Sequence, residues 1–333
     1  MNYPSTIAAL PKAELHCHIE GAAHPELVQR LANKHGLDVS SVIGKDNTYL
    51  WNDFTSFLHA YDHASLVFRT PEDYRLLAYD HFSRLSEENC IYAEVFASPD
   101  IAVLMGIGYL EMINAIAAGI NDARKESGIE GRIIVTGLRH LGPESVEKTA
   151  DQVAANPHPM VTGFGMAGDE RQFETEDFAG AFTIAADAGL GLTCHAGEFA
   201  GADNVRETVE HLNVTRIGHG VRAIEDDSLI ARLAIEGIVL EACPASNIAL
   251  EVYPSFEAHP FSQLAAAGLV MTLNSDDPPY FHTTLTREYA LAQEYFGCSD
   301  DDLLGFTRNA VNAAFVDTAT RARLHKRLEN YSA

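Results

Sequence analysis

The sequence has 333 residues, of which 47% are hydrophobic and 21% charged, and these values are typical of a soluble globular protein. Its net charge of −24 disfavours nucleic acid and anionic membrane surfaces as partners, because both are polyanions. The five scattered cysteines lack a Cys-x-x-Cys motif, and neither a signal peptide nor an apolar run of about 18 residues is visible, so we expect a cytoplasmic protein.

Eight short runs of apolar and β-branched residues predict β-strands, and the amphipathic stretches between them predict helices. The predicted strands lie at residues 14–19, 91–96, 132–138, 160–164, 190–194, 216–218, 238–242 and 269–273. The predicted helices lie near residues 72–89, 109–127, 143–155, 175–188, 203–212, 225–236, 260–267 and 284–295. Alternating strands and helices form parallel sheets, and eight pairs without a flexible linker predict an α/β fold: one (β/α)8 barrel of the TIM type, with residues 1–333 as a single domain.

Two segments depart from this repeat. Residues 21–71 are too long for an ordinary connection and predict a helical insertion after the first strand. Residues 300–331 predict one or two extra helices at the C-terminus. Within the insertion, helical spacing relates five large apolar residues, Trp51, Phe54, Phe57, Leu58 and Tyr61. Such a stripe usually packs on the core, and here it is also a candidate lid over an active site.

The first predicted strand carries His16 and His18. Successive side chains of a strand point to opposite faces, so residues at i and i+2 share a face. Two imidazoles side by side form half of a site for a first-row transition metal. We therefore expect this strand to supply two metal ligands.

Four later strands also run into polar motifs, and in a TIM barrel the active site lies at these carboxyl ends. In chain order these motifs contain Gly168 after strand 4, His195 and Glu198 after strand 5, His219 after strand 6, and Asp276 and Asp277 after strand 8. Together they supply the missing metal ligands and a set of acids and bases.

We predict a catalytic zinc ion, which commonly has three protein ligands, sometimes a fourth, and lowers the pKa of its water to about 7. The predicted ligands are His16, His18, His195 and Asp276. No lysine lies near the end of strand 4 to bridge a second metal, so we expect one zinc ion per chain.

Two further residues are predicted to be catalytic. Glu198 follows a predicted ligand by three residues, and a carboxyl group held protonated in a dry pocket can act as an acid. His219, between two glycines at a strand end, is placed to orient or deprotonate the water.

The order of these motifs resembles the adenosine deaminase family of barrel metallohydrolases. The resemblance covers nearly the whole chain and rests on His16-Cys17-His18, Ala167-Gly168-Asp169-Glu170, His195-Ala196-Gly197-Glu198, Ile217-Gly218-His219-Gly220, Cys243-Pro244 and Ser275-Asp276-Asp277-Pro278. It implies zinc-dependent deamination of adenosine and 2′-deoxyadenosine, which gives inosine from adenosine, plus ammonia, by attack of zinc-activated water on purine C6.

The resemblance also implies contacts with the purine. Glu198 would protonate N1, Asp277 would bond to N7, and the backbone of Gly168 would approach N3. His18 would face the substrate as well as the metal. Glu20 stands where adenosine deaminases usually carry an aspartate that meets the ribose 5′-hydroxyl.

Glu20 and the motif after strand 4 favour different substrates. The longer carboxylate is similar to the adenine deaminase and aminodeoxyfutalosine deaminase branches, whereas Ala167-Gly168-Asp169-Glu170 is similar to the branch that acts on nucleosides. We expect a small-molecule purine nucleoside or base as partner, with adenosine as the substrate and adenine or another 6-aminopurine as the alternative. A purine-binding protein without catalysis and a barrel hydrolase for esters or lactones are less consistent with this residue set. The sequence leaves the oligomeric state open.

Overall fold

A computed structural model of the chain describes residues 5–331. Its eight strands are β1 (Lys12–Glu14), β2 (Cys90–Ala97), β3 (Glu130–Leu138), β4 (Val161–Ala167), β5 (Gly191–Ala196), β6 (Arg216–His219), β7 (Val239–Ala242) and β8 (Val270–Leu273). Each strand pairs in parallel with the next in chain order. The barrel is nearly closed, because β1 and β8 meet through the segments that follow them. The predicted TIM-type (β/α)8 fold is confirmed.

Helices surround the strands on the outside. Within residues 5–331 they are α1 (Ser5–Ala9), α2 (Pro25–His35), α3 (Phe54–Ser65), α4 (Pro71–Glu87), α5 (Pro99–Leu104), α6 (Tyr109–Ser127), α7 (Pro143–Ala155), α8 (Ala179–Asp187), α9 (Ala202–His211), α10 (Asp227–Glu236), α11 (Pro244–Ala249), α12 (Phe261–Ala266), α13 (Leu285–Phe296), α14 (Asp300–Ala313) and α15 (Thr318–Glu329). The insertion after β1 contains α2 and α3, and α14 and α15 are the predicted C-terminal helices. None of these helices is both long and apolar enough to cross a bilayer.

Two sequence predictions need correction. The first strand ends at Glu14, so His16 and His18 lie in the segment after it and not in a regular strand; their rings are nearly perpendicular, at 86°. The reason is that this segment bends at the rim to pair with the chain that follows β8. Trp51 lies outside the helix predicted for the aromatic stripe, because Asp53 caps α3 by accepting a hydrogen bond from the backbone N–H of Ser56.

Candidate active site

The carboxyl ends of the strands bring the predicted site residues to one cavity. Eight of the nine line it: His18, Glu20, Gly168, His195, Glu198, His219, Asp276 and Asp277. The ninth, His16, is fully buried directly beneath them, with its ring 4.4 Å from that of His195, centroid to centroid. The strand ends therefore gather side chains that are up to 261 positions apart in the chain.

Backbone hydrogen bonds hold the two ends of the barrel together at this site. The N–H of His18 donates to the carbonyl of Asp276 at 3.1 Å, and the N–H of Asp276 donates to the carbonyl of His16 at 3.1 Å. Asp276 has a φ of 63°, in the left-handed region that non-glycine residues rarely adopt. Closure of the barrel thus places one carboxylate beside two imidazoles, in a strained backbone conformation of the kind found at functional sites.

The four predicted metal ligands lie together. The Nε2 atoms of His18 and His195 are 3.2 Å apart. One carboxylate oxygen of Asp276 lies 3.5 Å from Nε2 of His18 and 3.6 Å from Nε2 of His16. Nε2 of His16 is buried and has no hydrogen-bond partner among the described residues. Imidazole nitrogens that converge on one carboxylate fit a zinc-type cation, because such a cation can accept lone pairs from all of these groups at once.

Hydrogen bonds on the far side of two imidazoles orient them toward this point. Nδ1 of His195 lies 3.1 Å from the carbonyl oxygen of Met166, in β4. Nδ1 of His16 lies 2.8 Å from a carboxylate oxygen of Glu241, in β7. An acceptor at Nδ1 fixes the proton there and leaves Nε2 free to bind a metal.

The two predicted catalytic residues face each other across the same point. A carboxylate oxygen of Glu198 lies 3.7 Å from Nε2 of His219, which in turn lies 3.9 Å from a carboxylate oxygen of Asp276. His219 has a φ of 59°. The preceding Gly218 is required, because a Cβ atom there would lie 2.6 Å from Cε1 of His16.

Glu198 sits in an environment that keeps it protonated. Burial raises the pKa of its carboxyl group well above the usual range, and the charges of Asp276, Glu170 and Asp277 act in the same direction. One of its oxygens is buried without a hydrogen-bond partner in the described part of the chain. Such a group can donate a proton to a bound molecule.

Glu20 and Asp277 form the polar end of the cavity. Both are buried, with 3% and 4% of their surface exposed. Burial raises the pKa of Glu20 to about 7, against the lowering effect of the Tyr74 and Tyr61 hydroxyls. Oδ1 of Asp277 is unpartnered among residues 5–331, so it is open to a ligand.

Gly168 lines the cavity, and its conformation explains the glycine. Its φ is 103°, a value that side chains rarely tolerate. A Cβ atom would lie 2.7 Å from Nδ1 of His140. The side chain is therefore excluded by the protein itself, before any approach of a ligand is considered.

Residues of the predicted aromatic stripe form one wall of the cavity. Phe54, Phe57, Leu58 and Tyr61 of α3 line it. Phe54 also contacts Phe199, the residue after Glu198, with ring centroids 4.6 Å apart. Trp51 is not part of this wall, and its indole N–H donates to the carbonyl of Tyr280. Closure of this segment over a ligand stays a prediction.

Sequence reasoning missed two glutamates that support the site. Glu170 ends the motif Ala167-Gly168-Asp169-Glu170, of which only Gly168 is a predicted site residue, and Glu241 lies in none of the predicted motifs. Glu241 stands inside the apolar run of β7 and is fully buried. A charged residue within a central parallel strand was the available signal, because such a position is normally apolar.

A family model and the sequences of known proteins relate this chain to purine deaminases. The model of a family described as adenosine deaminase matches residues 11–331. The chain is 55% identical over 320 residues to an adenine deaminase of Chelativorans sp. (strain BNC1), covering 96% of this chain and 98% of that one. It is 52% identical over 317 residues to an adenine deaminase of Rhizobium meliloti (strain 1021), covering 95% and 98%.

Two solved structures share the fold of this chain over nearly its whole length. A crystal structure of an adenine deaminase from Arthrobacter aurescens matches with a TM-score of 0.89 and 28% identity, covering 96% of this chain and 98% of that one. An amidohydrolase from Burkholderia ambifaria, with bound zinc, matches with a TM-score of 0.90 and 28% identity, covering 99% and 93%.

Proposed function

The chain belongs to the adenosine deaminase family, and from that premise we propose that it is an adenine deaminase, which converts adenine and water into the 6-oxopurine and ammonia. The observation that carries this proposal is the identity of 52–55%, over nearly the full length, to proteins named adenine deaminase. Adenine, the alternative that the sequence left open, therefore replaces adenosine as the proposed substrate.

The buried Glu20 supports the smaller substrate. An aspartate at this position would end one methylene earlier and leave room for a ribose hydroxyl. Glu20 instead extends its carboxyl group into the end of the cavity, next to Asp277 and the hydroxyls of Tyr61 and Tyr74. The cavity has a volume of about 130 Å³, below the ~300–1,000 Å³ of pockets that hold drug-sized ligands. A base without its sugar suits this space better than a nucleoside.

His16, His18, His195 and Asp276 are the residues that would hold zinc. Zinc, when bound there, acts as a Lewis acid that makes water a competent nucleophile near neutral pH.

The chain's own residues then account for the proton transfers. His219 accepts a proton from the water that attacks C6, and Glu198 donates its proton to N1. The C6–N bond breaks as the amine takes the proton from His219 and leaves as ammonia. The proton of the new hydroxyl group returns to Glu198, so the enzyme ends each turnover in its starting state. Asp277 bonds to N7, and Gly168 allows the backbone to approach N3.

The decisive experiment compares kcat/KM for adenine, adenosine, 2′-deoxyadenosine and aminodeoxyfutalosine. We expect adenine to be preferred by at least tenfold. A preference for adenosine would restore the original expectation, and a preference for aminodeoxyfutalosine would select the third 6-aminopurine.

A variant at Glu20 makes this comparison sharper. Glu20→Asp shortens the carboxylate by one methylene, and we expect it to lower kcat/KM for adenine and to raise kcat/KM for adenosine. Glu26→Asp, an exposed position in the first turn of α2, is the matched control and should leave both values unchanged. An unchanged substrate ratio in Glu20→Asp would remove Glu20 from substrate selection.

A further inference from the structure

A chain of buried charged groups crosses the barrel interior beneath the proposed metal site. The guanidinium of Arg216, in β6, forms ion pairs with Glu94 at 2.6 Å and with Glu241 at 2.7 Å. The other oxygen of Glu241 lies 2.8 Å from Nδ1 of His16. These four residues are at most 1% exposed. Three charged side chains thus connect three strands of the barrel to one proposed metal ligand.

Glu241 controls how His16 is presented. Its carboxylate lies at Nδ1, so Nε2 is the nitrogen that faces Asp276, whose carboxylate oxygen is 3.6 Å away. The ring of Phe96 packs edge-on against the imidazole, with centroids 4.7 Å apart. These contacts fix the orientation of the His16 ring.

Arg216 in turn controls Glu241. The carboxylate oxygen that does not face His16 is shared between Nε of Arg216 and the hydroxyl of Thr193, which donates at 3.1 Å. Without a cation, Glu241 would be a buried carboxylate facing a second one, Glu94, and both would be poorly solvated. The position of Glu241 therefore depends on Arg216.

Residues at the floor of the barrel hold Arg216 and Glu94 in place. The ring of Phe315 stacks on the guanidinium of Arg216, with the ring centroid 3.7 Å from Cζ. The backbone N–H of Phe315 donates to Glu94 at 2.7 Å, and Arg216 donates to the carbonyl of Ala313 at 3.2 Å. The segment after α14 thus fixes the guanidinium from below, and Tyr92 donates its hydroxyl to Glu94 from the side.

We propose that Glu241 and Arg216 are positioning residues that hold His16 in the orientation needed for metal binding, with Glu94 as the second anchor of the arginine. The inference rests on the proposed metal-dependent function. This role differs from a purely structural one in one respect. Removing Glu241 or Arg216 should weaken metal binding by more than its effect on folding explains.

The test measures zinc affinity, by competition with a chromophoric chelator, and the thermal midpoint of the metal-free protein. We expect Arg216→Met and Glu241→Gln to weaken zinc binding by about 10- to 100-fold, the usual effect of losing an outer-shell partner. The matched control is Arg132→Met. Arg132 is also buried, at 8% exposure in β3, but its guanidinium contacts Glu130, Asp317, the Thr320 hydroxyl and the Gly131 carbonyl, and among the described residues it forms no ion pair with Glu94 or Glu241. Its loss should lower the thermal midpoint without changing zinc affinity.

A milder variant covers the case in which Arg216→Met does not fold. Thr193→Val keeps the shape of the side chain and removes one hydrogen bond to Glu241, so we expect a smaller loss of zinc affinity in the same direction. Folded Glu241→Gln and Thr193→Val proteins that bind zinc as tightly as wild type would overturn the inference alone. A wild-type protein that binds no zinc would overturn the proposed function as well.

Discussion

Glu170 accepts the backbone N–H of Glu198 with both carboxylate oxygens, at 3.1 and 3.2 Å. One of these oxygens also accepts the N–H groups of Phe199 and Ala200, at 3.1 and 2.8 Å. A single buried carboxyl group therefore binds three consecutive amides of the loop after β5. This arrangement fixes the backbone that carries the proposed proton donor.

The first prediction concerns Glu198 itself. Glu198→Gln has the same shape but no acidic proton, so kcat should fall by about 10²–10⁴-fold, the usual contribution of a general acid. Metal content and the thermal midpoint should stay at wild-type values, because the side chain has an oxygen without a protein partner. A near-normal kcat would remove Glu198 from the proton-donor role.

The second prediction concerns Glu170. Glu170→Gln presents an amide NH2 to backbone N–H donors, so the loop shifts and kcat should fall by roughly 10- to 100-fold, as expected when a catalytic group is displaced. Glu176→Gln, at an exposed position that follows Glu170 in the connection after β4, is the control and should have the wild-type kcat. If both variants kept full activity, the loop would hold Glu198 without Glu170.

The third prediction concerns the metal. Purified protein should contain about one zinc per chain, and a chelator should abolish activity until zinc is returned. His195→Ala should contain none. A second buried group, Glu14, Cys17 and His81, also has ligand atoms within 4.8 Å of one another. Retention of one zinc by both His195→Ala and Asp276→Ala would place the metal outside the predicted site, with that second group as the candidate.

The fourth prediction concerns the segment that contains Trp51, the single tryptophan of the chain. If the segment closes over the ligand, a purine transition-state analogue should change the Trp51 fluorescence and slow tryptic cleavage after the exposed Lys45. Cleavage after Lys125, on α6, is the internal control and should keep its rate. If the analogue changes neither signal while it inhibits the enzyme, the α3 wall is a static part of the cavity.

The sequence was sufficient for the barrel and for the residues at its rim, because both follow from local patterns. Strand periodicity places the carboxyl ends, and the polar motifs stand directly after them. The His16–Cys17–His18 segment shows the limit of that reasoning. Its histidines converge through pairing with Asp276, a contact between residues about 260 positions apart, and no strand alternation encodes it.

The supporting residues were harder to predict for the same reason. Glu241 becomes meaningful only when Arg216 and His16 are known to flank it inside the barrel. The proposed substrate rests on the surroundings of Glu20, which include Tyr61 of the insertion and Tyr74 of α4. Residue type alone therefore gave two answers at Glu20, whereas burial and the relatives favour one.

The last prediction concerns Glu288, a fully buried residue of α13 away from the site. Its oxygens accept hydrogen bonds from the hydroxyl of Thr283, at 2.5 Å, and from the N–H of Ala245, at 3.2 Å. Burial nevertheless raises the pKa of Glu288 to about 8. In the unfolded chain a glutamate titrates near 4.3, so the folded protein holds one more proton between these two values.

Stability linked to that proton is complete below about pH 4.3 and is lost as pH rises through about 8. The slope approaches 1.4 kcal/mol per pH unit within the window, because one proton is released on unfolding. Glu288→Gln cannot ionise, so its thermal midpoint should fall less steeply than that of wild type between pH 6 and 9. Glu144→Gln, at an exposed position in α7, is the matched control and should keep the wild-type slope. Parallel slopes for wild type and Glu288→Gln would mean that Glu288 is ionised in the folded protein, despite its burial.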